Sequence, residues 1–264
     1  MCNFTGGRVV EQVALNNIAI VLCRPFHPGN IGSAARAMKT MGLSDLRLVT
    51  PQQFPDPQAE TMACGAVDVL EKTGVFANLP DALADCSLVV GLSARTRNLA
   101  VEARGPRVVA EELAALARQH KVALVFGNET YGLSNEELGY CQALVHIPAN
   151  PEYSSLNLAA AVQVMCYELR MASLAGVAGD ESSAELATQD ALEGYFRHLE
   201  QVLVEIGFLD PANPGRMMPR LRRLYARARL EPTELNILRG ILTETQRSLK
   251  NAAAGKTAVG KAVE

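Results

Sequence analysis

Three segments of the sequence group asparagine, arginine, glutamate and serine with glycine at spacings that suit ligand chemistry. The first is residues 28–32 with Arg36 after it, the second is residues 127–134, and the third is residues 147–157. Glycine lets a ligand approach the backbone, while a carboxylate, a guanidinium or an amide orients a polar group or takes part in proton transfer. The residue types therefore predict a polar ligand site, provided that the fold brings the three segments together.

Each segment taken alone also has an ordinary structural explanation. Asn30 is a good N-cap for the helix that follows, and Arg36 lies off the apolar stripe of that helix, as a solvated side chain would. Ser134 and Glu137 have the spacing of a capping box, and Gly127 fits a tight turn. Neither the dinucleotide-binding nor the P-loop glycine pattern is present, so neither kind of nucleotide site is predicted.

Apolar runs that alternate with helical segments must position these residues. The runs predict strands over residues 18–23, 46–49, 87–92, 122–127 and 144–147, and apolar periodicity predicts helices over residues 30–41, 108–120 and 157–171. Unbroken apolar strands alternating with helices indicate an α/β fold, a parallel sheet with helices on both faces. Active sites in such sheets lie off the carboxyl ends of the strands, so the polar segments are expected at one edge.

Beyond residue 172 the pattern changes. Residues 173–189 are small and polar and predict a linker, whereas residues 190–250 repeat apolar side chains at helical spacing and predict a small all-helical C-terminal domain. Residues 1–16 predict an N-terminal extension and residues 251–264 a disordered tail. Residues 17–172 are left as the main α/β domain.

The composition limits the class of protein. The chain has 264 residues and a net charge of −3, which excludes a uniformly basic nucleic-acid coat. Aromatic residues make up 5% of the chain and tryptophan is absent, which argues against a surface built for base stacking.

The cysteines and the apolar runs indicate the compartment. Six cysteines are spaced too widely for a zinc ribbon or a disulfide framework, so no metal site is predicted. Cys23, Cys86 and Cys166 lie in apolar runs and are predicted to be buried free thiols. No secretory signal and no apolar run of about 18 residues is present, so we expect a cytoplasmic protein without a membrane partner.

Taken together, the three segments resemble motifs 1, 2 and 3 of the SpoU (SPOUT) RNA ribose 2′-O-methyltransferases, in order and in spacing. The matching positions are Asn30-x-Gly32-x3-Arg36, then Gly127-Asn128-Glu129-x2-Gly132-Leu133-Ser134, then Ile147-Pro148-x6-Ser155-Leu156-Asn157-Leu158. The resemblance covers residues 17–172. Residues 221–242 further resemble the bacterial TrmJ-type enzymes, which methylate the ribose at position 32 of the tRNA anticodon loop.

This resemblance implies a fold and a chemistry that periodicity does not reveal. It implies a C-terminal trefoil knot in the catalytic domain, S-adenosylmethionine as the cofactor, and a homodimer with the site near the subunit interface. Methyl transfer from a sulfonium is an in-line displacement that needs no metal, but the acceptor 2′-OH must lose its proton near the transition state.

The resemblance also implies four catalytic residues. Arg36 would clamp a phosphate near the acceptor, since its charge is permanent and its planar fork suits phosphate. Asn30 would orient Arg36 or the ribose, Glu129 would hold Arg36 or contact the positive end of the cofactor, and Asn157 would position the ribose.

The cofactor pocket and the RNA surface follow from the same resemblance and from charge. The residues expected to bind the cofactor are Ser93, Ala94, Gly127, Glu129, Gly132, Ile147, Pro148, Ser155 and Leu156. Arginines are clustered within residues 93–107 and 216–229, and the second cluster is either a solvated helix face or a phosphate-contact surface. The residues expected to bind RNA are Arg95, Arg97, Arg216, Arg220, Arg222, Arg223 and Arg227.

The sequence thus predicts an S-adenosylmethionine-dependent tRNA 2′-O-ribose methyltransferase acting on cytidine or uridine 32. Three alternatives stay open: the same chemistry on ribosomal RNA or another tRNA position, a catalytically silent RNA-binding paralogue, and a nucleotide-binding α/β enzyme with a small-molecule substrate. The last of these leaves the arginine-rich segment without a role.

Overall fold

The computed structural model describes residues 15–93, 103–175 and 186–260, and the chain forms two compact units, residues 1–183 and 184–264. The first unit is built on a sheet of seven parallel strands in the order β3-β2-β1-β6-β4-β7-β5. Its strands are β1 (Ile18–Cys23), β2 (Asp45–Val49), β3 (Gly74–Phe76), β4 (Leu88–Leu92), β5 (Ala103–Arg104), β6 (Val122–Phe126) and β7 (Ala143–Val145).

Helices connect these strands. They are α1 (Pro28–Met41), α2 (Pro57–Ala63), α3 (Val67–Glu71), α4 (Leu79–Leu83), α5 (Pro106–Leu116), α6 (Asn135–Gly139) and α7 (Leu158–Leu174). The predicted α/β class and parallel sheet are confirmed. The edge strands β3 and β5 and the short helices α2 to α4 were not predicted, because segments of two to seven residues are too short to show a period.

The sheet is buried on both faces, as unbroken apolar strands require. Along β1 the side chains alternate between two cores: Ile18, Ile20 and Leu22 face the core that includes α1, α5 and α7, and Val21 and Cys23 face the core that includes α4 and α6. The predicted burial of Cys23, Cys86 and Cys166 as free thiols is confirmed.

Helix α1 begins earlier than predicted. It starts at Pro28, whose ring presets the backbone for the first helical turn, and its N-cap is His27, which makes no side-chain cap bond. Asn30 is therefore inside the first turn and not the N-cap, which leaves its amide free for other partners. Gly32 lets a neighbour approach, but that neighbour is helix α2: a Cβ there would lie 2.0 Å from the carbonyl oxygen of Ala59.

The strand order reverses between β1 and β6, which are adjacent although they are far apart in sequence. Loops that leave the carboxyl ends of two such strands run in opposite directions and open a crevice between them. The segments after β1 and β6 are those that carry Asn30 and Glu129.

The opposite, amino end of the sheet holds a cluster of charges, which we call the amino-end ion cluster: Asp45, Arg47, Asp85 and Lys121. The Arg47 side chain is 8% exposed and pairs with Asp85 at 2.6 Å and with Asp45 at 2.9 Å. Lys121 Nζ lies 3.1 Å from Asp45 and 3.3 Å from Asp85. Burial raises the pKa of Asp85, but its bonds to Arg47 and Lys121 outweigh burial and lower it to about 2.

The second unit contains the helices α8 (Gln189–Glu205), α9 (Met217–Ala228) and α10 (Pro232–Gly260). Its core packs Tyr195 and Phe196 of α8 against Met218 and Tyr225 of α9 and Leu242 of α10. Helix α10 continues into the segment predicted as a tail, as far as Gly260, through a run of alanines, the strongest helix formers.

The boundary between the two units, at residues 183 and 184, falls within the segment predicted as a linker. Helix α7 extends into that segment as far as Leu174, three residues beyond its predicted end, and α8 starts at Gln189. Among the described helices, none is both long enough and apolar enough to cross a membrane.

Candidate active site

Glu129 joins the segments that follow β1 and β6. Its Oε2 accepts a hydrogen bond from the backbone N–H of Phe26 at 2.8 Å, and its Oε1 accepts from the N–H of His27 at 3.1 Å and from Nδ2 of Asn30 at 2.9 Å. The carboxylate therefore sits at the N-terminus of α1, where free amides and the helix dipole favour a negative charge.

Asn30 carries this connection to the third motif. Its Oδ1 accepts a hydrogen bond from Nδ2 of Asn157 at 2.9 Å. Asn157 is the N-cap of α7, and its Oδ1 accepts from the amides of Ala159 and Ala160 at 2.9 and 3.2 Å. The side chains Glu129, Asn30 and Asn157 thus form one chain of hydrogen bonds, which we call the amide network, and it links all three motif segments.

The loop after β6 is folded tightly by its glycines. A Cβ at Gly127 would lie 2.1 Å from the backbone of Gly132, and Gly132 has a φ of +68° that favours glycine. Asn128 holds the turn from within, because its Oδ1 accepts from the amide of Thr130 at 2.8 Å while its Nδ2 donates to the carbonyl oxygen of Arg24 at 2.8 Å. The loop is thereby fixed against the segment after β1.

An ion pair completes this attachment. Arg24 donates to both carboxylate oxygens of Glu137, at 3.1 and 2.8 Å. The predicted capping box at the start of α6 is confirmed, since Ser134 accepts from the amide of Glu137 and Glu137 accepts from the amide of Ser134. Glu137 therefore caps its own helix and anchors Arg24, which keeps the loop of Glu129 in place.

Beside the amide network lies a cleft of about 230 Å³. Its walls mix backbone and polar groups with apolar side chains, as pockets for organic ligands do. The cleft is lined by Leu92, Ser93, Phe126, Gly127, Asn128, Glu129, Thr130, Tyr131, Gly132, Leu133, Ile147, Ser154, Ser155, Leu156, Leu158 and Ala161.

Most residues expected to bind a cofactor are in this lining. Ser93, Gly127, Glu129, Gly132, Ile147, Ser155 and Leu156 line the cleft. Pro148 is exposed and is not among the lining residues, and Ala94 lies outside the described residues. Sequence reasoning missed Tyr131, although it stands two residues after Glu129 in the second motif.

Arg36 is placed differently from the expectation that linked it to Glu129 or Asn30. It is exposed on α1, and its Nη1 lies 3.5 Å from Sγ of Cys64. Of the two roles expected for Glu129, the structure shows no contact with Arg36, because its carboxylate accepts from the backbone amides of Phe26 and His27 and from the Asn30 side chain. Short-range helix geometry explains the difference, since six residues place Arg36 about 9 Å further along α1 than Asn30.

The hydrogen bonds of Glu129 decide its charge. Burial raises its pKa, but the bonds from Asn30, Phe26 and His27 outweigh burial, and the net effect lowers the pKa below its usual value. Glu129 is therefore ionised at neutral pH and is a poor base. Within the described ranges, no three His, Cys, Asp or Glu side chains are grouped so that they could hold a metal ion.

The arginines of α9 divide into two sets by their position around the helix. At about 100° per residue, Arg216, Arg220, Arg223 and Arg227 fall within an arc of about 60°. Arg222 lies on another side, pairs with both oxygens of Glu193, and stacks 4.5 Å from the centre of the Phe196 ring. Arg222 is thus engaged within its own unit, while Arg95 and Arg97 lie outside the described residues.

Comparison with known families matches both units. The SpoU rRNA methylase family matches residues 17–167, and the C-terminal domain of the tRNA methyltransferase TrmJ matches residues 190–254.

Individual relatives are similar over almost the whole chain. The tRNA (cytidine/uridine/adenosine-2′-O-)-methyltransferase TrmJ of Pseudomonas aeruginosa (strain UCBPP-PA14) is 52% identical over 244 residues, which cover 88% of this chain and 95% of that protein. The tRNA (cytidine/uridine-2′-O-)-methyltransferase TrmJ of Citrobacter koseri is 52% identical over 240 residues, covering 89% and 99%.

Solved structures give the same picture. The crystal structure of TrmJ from Z. mobilis ZM4 has a TM-score of 0.78 at 34% identity and covers 86% of this chain and 98% of its own. A probable methylase family protein from Haemophilus influenzae Rd KW20 has a TM-score of 0.59 at 44% identity and covers 90% and 99%.

Proposed function

The chain belongs to the SpoU rRNA methylase family, and from that premise we propose that it transfers a methyl group from S-adenosylmethionine to a ribose 2′-OH of tRNA. The observation that carries this proposal is the amide network, because it joins Glu129, Asn30 and Asn157 from three separate motifs beside one cleft. The similar C-terminal domain and the tRNA substrates named for the relatives support tRNA as the acceptor.

The cleft fits the donor. Gly132 lines it, and a Cβ built at Gly132 would meet no atom within 4 Å, so the space in front of this glycine is open to a ligand. Apolar side chains such as Ile147 and Leu156 suit an adenine ring, while Ser155 and the loop backbone offer hydrogen bonds to ribose and methionine groups. S-adenosylmethionine, when bound, supplies an electrophilic methyl group.

The residues around the cleft would hold the acceptor in line. Asn157 is exposed at the end of the amide network, where its amide can bind a ribose oxygen, and Asn30 and Glu129 keep that amide in one orientation. Positioning of this kind lowers the barrier by fixing the attack geometry. Glu129 itself is ionised and saturated with hydrogen bonds, so its role is to hold the network and not to take the 2′-OH proton.

Arg36 remains our candidate for the group that promotes loss of that proton. Its guanidinium is exposed on α1, the helix whose first turn binds Glu129, and it has no carboxylate partner among the described residues. A permanent positive charge in this position suits a phosphate of the RNA backbone, which would accept the proton.

The finer features come from the family resemblance. We infer a trefoil knot in the first unit, a homodimer, and a target at position 32 of the anticodon loop. The packing of the loops after β6 and β7 around one cleft supports the knot, and the tRNA substrate together with the buried free thiols supports a cytoplasmic location. For RNA contact we propose the arginine stripe, defined as Arg216, Arg220, Arg223 and Arg227, in place of the set that included Arg222.

The decisive experiment measures transfer of labelled methyl groups to unmodified tRNA transcripts and maps the product by mass spectrometry. We expect a 2′-O-methylated nucleotide at position 32 and no product on a transcript with a 2′-deoxyribose there. Methylation of ribosomal RNA or of another tRNA position would keep the chemistry and overturn the specificity. Cofactor binding without transfer to any RNA would identify a silent paralogue.

A further inference from the structure

Exposed aromatic rings are concentrated around the candidate active site. The described part of the chain has five strongly exposed aromatic side chains, namely Phe26, Tyr131, Tyr153, Tyr167 and Phe208. Three of them, Phe26, Tyr131 and Tyr153, lie on the segments that follow β1, β6 and β7 and form the site. Their exposed fractions are 52% for Phe26, 71% for Tyr131 and 80% for Tyr153.

The backbone of each ring-bearing residue is tied to the site. The amide of Phe26 donates to Glu129 at 2.8 Å, and Tyr131 lines the cleft with its amide directed at Asn128 at 3.4 Å. Tyr153 donates to the carbonyl oxygen of Asn150 at 2.9 Å and immediately precedes Ser154 in the cleft lining. Tyr131 therefore lines the cleft, and the backbones of Phe26 and Tyr153 are held next to residues that line it.

We propose that Phe26, Tyr131 and Tyr153 form an aromatic rim on which the base of the acceptor nucleotide stacks. The inference rests on the proposed function and names how that site holds its substrate. A ribose in a loop of RNA brings an unpaired base with it, and proteins bind such bases on aromatic faces. Exposed apolar groups gathered at one site commonly mark a surface that binds a ligand or a partner.

Stacking also fits the acceptors named for the relatives, which are cytidine and uridine for one and cytidine, uridine and adenosine for another. Every base has a π-face, so a stacking surface tolerates cytidine, uridine and a purine alike, unlike a site that reads base edges by hydrogen bonds. The expectation of RNA recognition without stacking, drawn from overall aromatic content, would then be wrong at this one place. The chain has few aromatic rings, but most of the strongly exposed ones lie on the segments that form the site.

The test compares protein variants on two RNAs. Tyr131→Ala and Tyr153→Ala should each lower kcat/KM for a tRNA transcript about ten-fold, while Tyr131→Phe and Tyr153→Phe, which keep the ring, stay near wild type. On a transcript whose target nucleotide keeps its ribose but lacks its base, the alanine variants should match wild type. Phe208→Ala, which removes an equally exposed ring from the second unit, is the matched control.

Several results would overturn the aromatic rim. Equal losses on the normal and the base-free RNA would place the rings against another group. Weaker S-adenosylmethionine binding by the alanine variants would assign the rings to the donor, and a shift from dimer to monomer would assign them to a subunit contact. Full activity of the alanine variants would remove the rim and leave the proposed function intact, whereas a wild-type protein inactive on every tRNA would refute the function itself.

Discussion

The two ends of the parallel sheet carry polar groups of opposite construction. At the amino end, Arg47 is buried between Asp45 and Asp85, and Lys121 closes the amino-end ion cluster. At the carboxyl end, the Glu129 carboxylate is held by backbone amides and by the neutral side chains of the amide network, next to the separate Arg24–Glu137 ion pair. The amino-end ion cluster thus pairs charges with charges, whereas Glu129, the charge within the amide network, is satisfied by dipoles.

This difference separates stability from function. A guanidinium between two carboxylates leaves no donor for a ligand, so the amino-end ion cluster can only hold β2 to the neighbouring elements. In the amide network, by contrast, the last side chain, Asn157, is exposed, so a substrate can reach it. Both carboxylates, Asp85 and Glu129, have a lowered pKa, so a shifted pKa alone does not distinguish the two ends.

The largest effect on stability is expected for Arg47→Met, which removes the centre of the amino-end ion cluster. It leaves Asp45 and Asp85 with only Lys121 as a partner, and since these carboxylates are 22% and 51% exposed, we expect a loss of about 1–3 kcal/mol in unfolding free energy. Activity per folded molecule should be unchanged, because the amino-end ion cluster is remote from the cleft. Urea unfolding with a parallel methyl-transfer assay measures both quantities.

Lys39→Met is the matched control for Arg47→Met. Lys39 and Asp68 also form an ion pair, at 2.6 Å, but their side chains are 47% and 50% exposed. Removal of this exposed pair should lower the unfolding free energy much less than Arg47→Met does, because water screens both charges. Equal losses for the two variants would show that burial does not make the amino-end ion cluster special.

At the carboxyl end, the corresponding variant is Glu129→Gln, which removes the charge from the amide network. The glutamine amide cannot accept all three hydrogen bonds, so Asn30 and Asn157 lose their fixed orientation. A misplacement of about 1 Å in an active site costs about 100-fold in rate, and we expect a fall in kcat of that order with a much smaller change in stability. Glu136→Gln, which removes the same charge from an exposed position on α6, should leave kcat unchanged.

A third prediction uses acid to test the amino-end ion cluster. The folded-state pKa of Asp85 is about 2, below its ordinary 3.8, so its contribution to stability is complete above pH 4 and is lost as the pH falls towards 2. Because the Asp85 side chain is 51% exposed, solvent screening reduces the contribution to about 1 kcal/mol. The melting temperature should fall more steeply between pH 5 and 2 for wild type than for Asp85→Asn. Parallel curves for the two proteins would show that Asp85 does not stabilise the fold through its charge.

The sequence alone predicts much of this arrangement. The apolar runs locate five of the seven strands, and because parallel strands end at one edge, Asn30, Glu129 and Asn157 are expected near one another, as they are. The partners of Glu129 could not be foreseen in the same way. Two of them are backbone amides of Phe26 and His27, and any sequence supplies such amides, so only the tertiary fold decides which ones point inward.

The amino-end ion cluster was equally hidden. Arg47 shares its strand with Asp45, but nothing local reveals that Asp85 and Lys121, 38 and 74 positions further along the chain, lie beside it. The arginines of α9 show the opposite case. Their two sets follow from helix phase, which residue spacing alone determines.

The smallest predicted effect concerns the second unit, where an exposed arginine is compared with a paired one. Arg220 is exposed on the arginine stripe, whereas Arg222 is bound to Glu193 and Phe196. Arg220→Gln should weaken tRNA binding several-fold and reduce the slope of log K against log salt by about one, as expected for the loss of one phosphate contact. Arg222→Gln removes the same charge but should lower the melting temperature and leave the salt slope unchanged. If Arg222→Gln instead changed the slope as Arg220→Gln does, Arg222 would contact RNA although it is paired inside the protein. The division between paired arginines that stabilise this unit and exposed arginines that bind RNA would then be wrong.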